Sequence, residues 1–294
     1  MASLKELRAR IGSVKSTKKI TSAMKMVAAA KLRRAQTRAE AARPYATAMR
    51  RMLAELGRSA KGQTGLPVLL AGTGNDKVHL LVPMTSDRGL AGAFNANINR
   101  VTRNLIRRLQ AEGKTVRLLP VGRKGHDYLI REFADLIVDH VHGSGGREIP
   151  FSAAAELGEA ITSRLEKGEF DVCTVIYNRF NNVMSQTPTE LQLVPLAMPG
   201  NDDAAAAPDA PVYEFEPGEE ELLSRLLPRN LQVQLYATML ESAAGEQGAR
   251  MTAMDSATRN AGKAIDRLTL TYNRTRQTNI TNELIEIISG AQAV

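Results

Sequence analysis

Residues Met251–Tyr272, MTAMDSATRNAGKAIDRLTLTY, decide the fold. Met251, Met254, Thr258, Ala261, Ile265, Leu268 and Tyr272 recur at alternating steps of three and four, the rhythm of a helix that packs along a second helix. They sit inside a longer stretch, Arg229–Val294, of 66 residues without a proline. As one helix that stretch would run about 99 Å at 1.5 Å per residue, wider than a single domain of this size. Isolated helices are marginal in water, so a helix of this kind needs a partner, and burial of a shared seam at about 25 cal/mol per Å² supplies the missing stability.

The partner is legible at the other end. The first 43 residues are also free of proline. Ser3 and Glu6 have the spacing of a capping box. Leu4, Leu7, Ile11 and Val14 follow at steps of three, four and three. The pattern loosens through Lys18 and Lys19, then resumes with Ile20, Met24, Val27, Ala28, Leu32 and Ala35. Pro44 predicts a kink, with the helix continuing to about Leu56, and Gly57, Gly62, Gly65 and Pro67 end it.

Between the two helices the rhythm changes. Strands are predicted at Val78–Met84, Val116–Val121, Leu136–Asp139, Val172–Tyr177 and Leu191–Leu196, with helices at 94–112, at Lys124–Phe133 and from a Ser152 cap to Lys167. Such alternation argues for a mainly parallel sheet with helices on its faces; the last two strands are close enough to form a hairpin instead. Residues 199–217, rich in Pro, Ala and Asp, read as an exposed loop. Glu219 opens the last helix and Pro228 bends it early. The fold class is therefore α/β: a long antiparallel coiled coil of N- and C-terminal helices plus a Rossmann-like central domain. Its parts are an N-terminal helix over 1–58, the α/β domain over 75–198, the acidic loop over 199–217 and the C-terminal helix over 218–294.

Composition fits that plan. Aromatic residues make up 4% of the 294 and Trp is absent, which leaves small and unbranched side chains that let two helices approach closely. The lone Cys173 leaves no intramolecular disulfide and fits a reducing compartment. No apolar run reaches the ~18 residues needed to span a bilayer. The Arg/Lys/Ala-rich start resembles a transit peptide, but its pattern continues past Arg50 and is read as mature structure. Charge is polarised: residues 1–58 hold 15 Lys/Arg against 3 Glu, a balance of +12 that leaves −4 for the rest of a chain of net charge +8. Eight acids and no base fall between Gly200 and Leu222. Different partners at different levels are the expected consequence.

Catalytic signals are weak. Gly113-Lys114-Thr115 echoes a phosphate-binding loop, but Arg108 stands where its first glycine belongs, and the tripeptide leads from helix to strand, the reverse of the required order. Asp87-Arg88-Gly89-Leu90-Ala91-Gly92 does run from strand to helix, where amides can hold an anion, yet it lacks the dinucleotide glycine spacing and its acidic partner. A structural turn is the simpler reading. His140 and His142 share one face of a strand, too few for a closed metal site. Cys173 lies in an apolar strand as a core residue. The basic first helix suits a solvated face, a nucleic-acid grip or a protein surface; the absence of aromatics other than Tyr45 before Phe94 weakens the second.

Three motifs, together spanning the chain in order, carry a resemblance. Ile280-Thr281-Asn282-Glu283-Leu284-Ile285-Glu286-Ile287-Ile288-Ser289-Gly290-Ala291 resembles the C-terminal signature of the gamma-subunit family of F-type ATP synthases. Lys19-Ile20-Thr21-Ser22-Ala23-Met24-Lys25-Met26-Val27-Ala28-Ala29-Ala30-Lys31 is similar to that family's N-terminal helix, and Ser86-Asp87-Arg88-Gly89-Leu90 with Gly92 and Phe94-Asn95 to its central turn. The form is bacterial-like, without the inserted cysteine pair of chloroplast members. The resemblance implies a non-catalytic central stalk of a proton-translocating ATP synthase, peripheral on the cytoplasmic face of the bacterial inner membrane. It implies alpha and beta subunits of the catalytic hexamer, an epsilon subunit and a c-subunit ring as partners, and ATP, ADP and Mg held by alpha and beta with no cofactor on this chain. It further implies that Arg276 and Gln277 form a polar catch for a beta-subunit loop and that Met24 is sensitive to added positive charge. Ile280, Glu283, Ile287 and Ile288 belong by the same reasoning to a tip seated in an apolar sleeve, and Tyr213, Glu214 and Glu216 to a foot that meets the epsilon subunit and the c ring. From residues alone, a free-standing coiled-coil scaffold, a basic nucleic-acid-binding protein and a nucleotide-dependent enzyme centred on Gly89 and Gly92 stay open.

Overall fold

The computed structural model describes residues 3–59, 67–142, 149–196 and 219–292. The chain divides into two compact units, Met1–Ala29 with Arg250–Val294, and Ala30–Ala249. Helix α1, Leu4–Ser59, and helix α6, Glu219–Gln292, each contribute residues to both; Pro44 lies inside α1 and Pro228 inside α6. Neither proline ends its helix. The loop at 199–217 lies outside the described residues.

In the first unit α1 and α6 pair antiparallel. The capping box forms as its spacing demands: the Ser3 amide donates to Glu6 Oε2 at 3.1 Å, and the Glu6 amide donates to Ser3 Oγ at 3.2 Å. Leu7 and Ala28 of α1 are buried, as are Met254 and Ala261 of α6. The α6 heptad positions from Met251 to Tyr272 are all buried or half-buried. On α1 the expectation fails in the middle: Ile20 is 60% and Val27 57% exposed. The seam runs instead through Lys18, Thr21 and Lys25, which continue the steps of three and four from Val14 to Ala28. These are polar rungs. Lys25 Nζ donates to Asp255 Oδ1 at 2.7 Å, the Thr21 and Thr258 hydroxyls lie 2.8 Å apart, and a Cβ on Gly262 would meet Lys18 Nζ at 3.6 Å. Arg259 holds the second oxygen of Asp255. Apolar spacing could not find a seam whose central layers are polar.

The second unit is built on a four-stranded sheet. The strands are β1 Val78–Pro83, β2 Thr115–Leu118, β3 Val172–Phe180 and β4 Gln186–Val194, in the order β2-β1-β3-β4. β1 pairs parallel with β2 and β3, whereas β3 and β4 form an antiparallel hairpin. Successive strand residues face opposite sides, and two cores result. Leu80, Val82, Cys173 and Val175 face α5, Phe151–Glu166, and Leu231, Leu235 and Met239 of α6. Leu81 and Ile176 face α3, Phe94–Ala111, and α4, Arg123–Phe133. A short helix α2, Val68–Ala71, carries Leu70 into a third cluster with Met49, Leu223 and Leu227. No sequence signal marked it.

Two local readings need correction. The segment expected as a strand at Leu136–Asp139 is a 3-10 turn, Ala134–Leu136, followed by isolated bridges of Ile137 to Leu118 and Val141 to Val121. Helix α5 starts one residue before the expected cap, with Pro150 at its N-cap and no side-chain cap. Pro is favoured near helix starts because its missing N–H costs nothing there.

Tight turns join the layers. Gly122 has φ 93, and a Cβ there would lie 2.1 Å from the Thr85 carbonyl oxygen, so glycine is required. Thr85 Oγ1 accepts the Gly125 amide at 2.8 Å, tying the end of β1 to the start of α4. At the other end of β1, Asp171 takes Thr73 Oγ1 at 2.5 Å and the Lys77 and Val78 amides at 3.0 and 2.9 Å. The Thr73 hydrogen bond, with the two amides, holds its carboxyl below the ordinary aspartate range.

Asp171→Ala should strip three donors of their acceptor and cost about 1–3 kcal/mol by chemical denaturation. Because the folded carboxyl titrates lower than the unfolded one, the wild-type advantage is full above about pH 4 and is lost as pH falls through the lowered folded value. In the first unit, the Lys25 hydrogen bond likewise holds Asp255 below its ordinary range. Asp255→Lys should lower the thermal midpoint followed by circular dichroism, with part of the loss recovered by adding Lys25→Glu.

Candidate interaction surface

What the seam leaves uncovered is the candidate surface. Ile20, Met24 and Val27 stand at steps of four and three, a second stripe on α1 turned away from Thr21 and Lys25. Met24 is half-buried, while Ile20, Val27 and the neighbouring Met26 are exposed. Arg8, Arg10, Lys15 and Lys19 are exposed on the same helix, so its outer surface mixes mainly positive charge with apolar side chains.

On α6 the same separation occurs further along. The pairs Lys25–Asp255, Thr21–Thr258 and Lys18–Gly262 step in opposite directions by matching amounts. Carried on, that register sets Leu4 level with Arg276, so α1 offers no partner to the last turns of α6. The heptad positions there are Asn279, Asn282 and Glu286, all exposed and polar. The apolar residues Ile280, Leu284, Ile287 and Ile288 lie elsewhere on the circumference, at about 100° per residue, and all are exposed, Ile287 at 67%. Arg276, Gln277 and Glu283 are exposed beside them. Arg276, Ile280, Glu283 and Ile287 form one row at steps of four, three and four, with Gln277, Leu284 and Ile288 as the adjacent row. Apolar side chains gathered in this way on a helix mark a surface for another macromolecule rather than a core. Met24 and the α6 rows lie at different levels of the paired helices and form separate patches. Leu270, also exposed, carried no sequence signal. Tyr213, Glu214 and Glu216 lie outside the described residues.

The turns weighed as ligand sites are filled by the protein itself. Asp87 Oδ1 accepts the Arg123 amide at 3.0 Å, which places a carboxylate at the N-terminus of α4. The Ser86 amide donates to Asn95 Oδ1 at 2.9 Å, and Ser86 Oγ donates to the Arg88 carbonyl at 2.6 Å. Leu90 and Gly92 carry the positive φ values that close the turn, 64 and 56. Gly113 turns at φ 75, and Lys114 is bound to Asp76 at 2.7 Å and Glu112 at 3.2 Å. Cys173 is fully buried, and that burial pushes its thiol up to about 12, outside the range of a working nucleophile. A cavity of about 20 Å³ lined by Thr85, Met239, Ser242 and Glu246 holds no more than a water molecule. Among the described residues no helix is long and apolar enough to cross a membrane.

Comparison with known proteins finds relatives over the whole chain. A family model described as ATP synthase matches residues 3–294. The ATP synthase gamma chain of Gluconacetobacter diazotrophicus is 85% identical over 294 residues, covering 100% of both chains. That of Rhodospirillum rubrum is 56% identical over 299 residues, again covering 100% of both. Among solved structures, a chain of the central stalk/c-ring structure of the Tetrahymena thermophila mitochondrial ATP synthase aligns with TM-score 0.62 and 28% identity, covering 81% of this chain and 99% of that one. A chain of the Euglena gracilis mitochondrial ATP synthase, at 20% identity, shares the fold with TM-score 0.69 over 99% of this chain and 94% of that one. A match over essentially the whole length, both to the family model and to several full-length relatives, places this chain in the ATP synthase gamma chain family.

Proposed function

We propose that this gamma chain is the central rotating stalk of a proton-translocating ATP synthase and itself makes and breaks no bonds. The paired helices of the first unit stand inside a ring of alternating alpha and beta subunits. The chain also joins an epsilon subunit and a c-subunit ring at the cytoplasmic face of the bacterial inner membrane. Proton flow turns the c ring and this chain with it. ATP, ADP and Mg are bound by alpha and beta, not here.

The observation that carries the reading is the surface left by the seam. An axle must hold its own helices together and still present unlike faces to its surroundings. The α1–α6 seam does the first, and the two apolar patches with the mainly basic α1 surface do the second. Turning such an object presents a different face to each beta subunit in succession. It shifts their affinities only by contacting their states differently. The basic residues of α1 are suited to acidic loops on beta, in hydrated contacts that weaken with salt. Met24 belongs to an apolar stripe where an added charge would be desolvated against the ring. Ile280, Ile287 and Ile288 form a bearing surface in an apolar sleeve, with Arg276, Gln277 and Glu283 as polar contacts to beta. Tyr213, Glu214 and Glu216 are assigned to the epsilon and c-ring contact.

Native mass spectrometry of the endogenous complex should find one copy of this chain with three alpha–beta pairs; a chain recovered only alone or as a homo-oligomer would contradict the reading. Arg276→Ala with Gln277→Ala should slow proton-driven ATP synthesis in reconstituted vesicles by about tenfold, the scale of losing one anchor contact of an interface. Unchanged turnover would remove these two residues from the contact.

A further inference from the structure

Three of the four histidines of the chain meet at the edge of the sheet in the second unit. His126 lies in the first turn of α4, where its amide donates to the Gly122 carbonyl at 3.4 Å, and His140 and His142 flank Val141. Backbone bonds pin the segment that carries the second and third rings. The Val138 amide donates to the Leu118 carbonyl at 3.0 Å, the Val141 amide donates to the Pro120 carbonyl at 2.9 Å, and the Val141 carbonyl accepts the Gly122 amide at 2.8 Å. Val141 packs on the core, and alternation along extended backbone sends its two histidine neighbours to the other side. Gly122 is also the N-cap of α4, so the junction that bonds the segment is the one that starts the helix bearing His126.

The ring centroids are 4.5 Å apart for His126 and His140, 4.3 Å for His140 and His142, and 5.8 Å for His126 and His142; the first two contacts are tilted and the third is edge-on. Neutral rings at such distances attract. Charged rings repel, and all three separations fall inside the Debye length of about 8 Å at physiological ionic strength, so salt does not screen that repulsion away. Histidine is the side chain whose charge changes between about pH 5 and 8. The charged groups on the surrounding elements match in number. Asp127 Oδ1 stands 3.9 Å from His126 Nδ1. Asp139 accepts the His140 amide with one oxygen and pairs with Arg164 of α5 through the other. Asp87 accepts the Arg123 amide at the start of α4, next to Lys124. With three carboxylates set against three cations, what separates the neutral cluster from the protonated one is the contact among its own rings.

We propose that His126, His140 and His142 form a proton-operated latch between the start of α4 and the 137–142 segment that continues the sheet beyond β2. At neutral pH the uncharged rings pack together and hold the segment closed. On acidification the rings charge and repel, and the segment opens at Val141. The sign follows from proton counts: the opened segment, whose rings stand apart, binds more protons than the closed one, so closure is favoured as pH rises and lost as pH falls. The opening is local, because the two cores of this unit contain none of the three rings. The device lies within the second unit and stands independently of the rotary reading.

The test is amide hydrogen exchange of the full-length chain, free of any histidine tag, at about pH 7.5 and about pH 5.5, with each rate divided into the intrinsic rate at the same pH to give a protection factor. An opened form that holds one extra proton gains tenfold in population per pH unit, so protection of the Val141 and Gly122 amides should fall by about tenfold or more between the two conditions. The Met84 amide, which donates to the Ile176 carbonyl in the middle of the sheet, should keep its protection. In the variant carrying His140→Gln and His142→Gln the fall at Val141 and Gly122 should disappear. That variant retains His79, which contacts Asp76 at 2.7 Å near the opposite end of β1, so the comparison isolates the cluster. Unchanged wild-type protection at Val141 and Gly122 overturns the proposal without any variant. So does an equal fall at Met84, which would report loss of the whole sheet, or an equal fall at Val141 in the double variant.

Discussion

Two polar rungs at the centre of the α1–α6 seam set the geometry of the first unit. Lys25 with Asp255, and Thr21 with Thr258, fix which turn of one helix faces which turn of the other. An all-apolar seam of Leu and Ala tolerates slippage by a heptad, since one greasy layer resembles the next. A seam with one ion pair and one hydroxyl pair does not, because any other register leaves those groups facing apolar neighbours without partners. Stability comes mostly from the buried Leu7, Ala28, Met254 and Ala261 layers. The partly exposed Lys25–Asp255 pair contributes little of it; its role is to choose the alignment.

From that alignment the outer surface follows. Once Thr21 and Lys25 face inward, Ile20 and Val27 must face outward. Once α1 begins level with Arg276, the last turns of α6 have no helix beside them, and the polar residues Asn279, Asn282 and Glu286 take the heptad positions. Ile280, Ile287 and Ile288 are then left for something other than this chain. In a family whose members are named as ATP synthase gamma chains, such exposed apolar rows are consistent with the proposed contacts to other subunits.

How much of this was legible in the sequence depends on the interaction involved. The α6 heptad, the capping box of Ser3 and Glu6, and the alternation that builds the sheet are local and periodic, and each could be seen at its own position. The α1 seam was readable at Leu4, Leu7, Ile11 and Val14 but misassigned at Ile20 and Val27. Apolar spacing selects the greasiest stripe, and here the chain uses a polar one. Pro150 replaced Ser152 at the start of α5 because a fixed φ serves a helix start as well as a hydroxyl does. The 3-10 turn at Ala134–Leu136 arises where a short segment bridges β2 without room for a full strand. His126 joined His140 and His142 only through folding, as the residues are separated by a helix and a turn. The motifs at both ends pointed to the α6 residues proposed as contacts, but a contact with another subunit has no signature within one chain beyond exposure of apolar side chains.

The most direct measurement of the central claim is disulfide trapping across the seam. Thr21→Cys with Thr258→Cys should oxidise readily to an intramolecular bond in the full-length chain, since the two hydroxyls are already 2.8 Å apart and the buried, high-pKa Cys173 does not compete. A pair displaced by one turn, Lys18→Cys with Thr258→Cys, should stay reduced under the same conditions. Equal trapping of both pairs, or bonding of the displaced pair alone, would show that the polar rungs do not set the register.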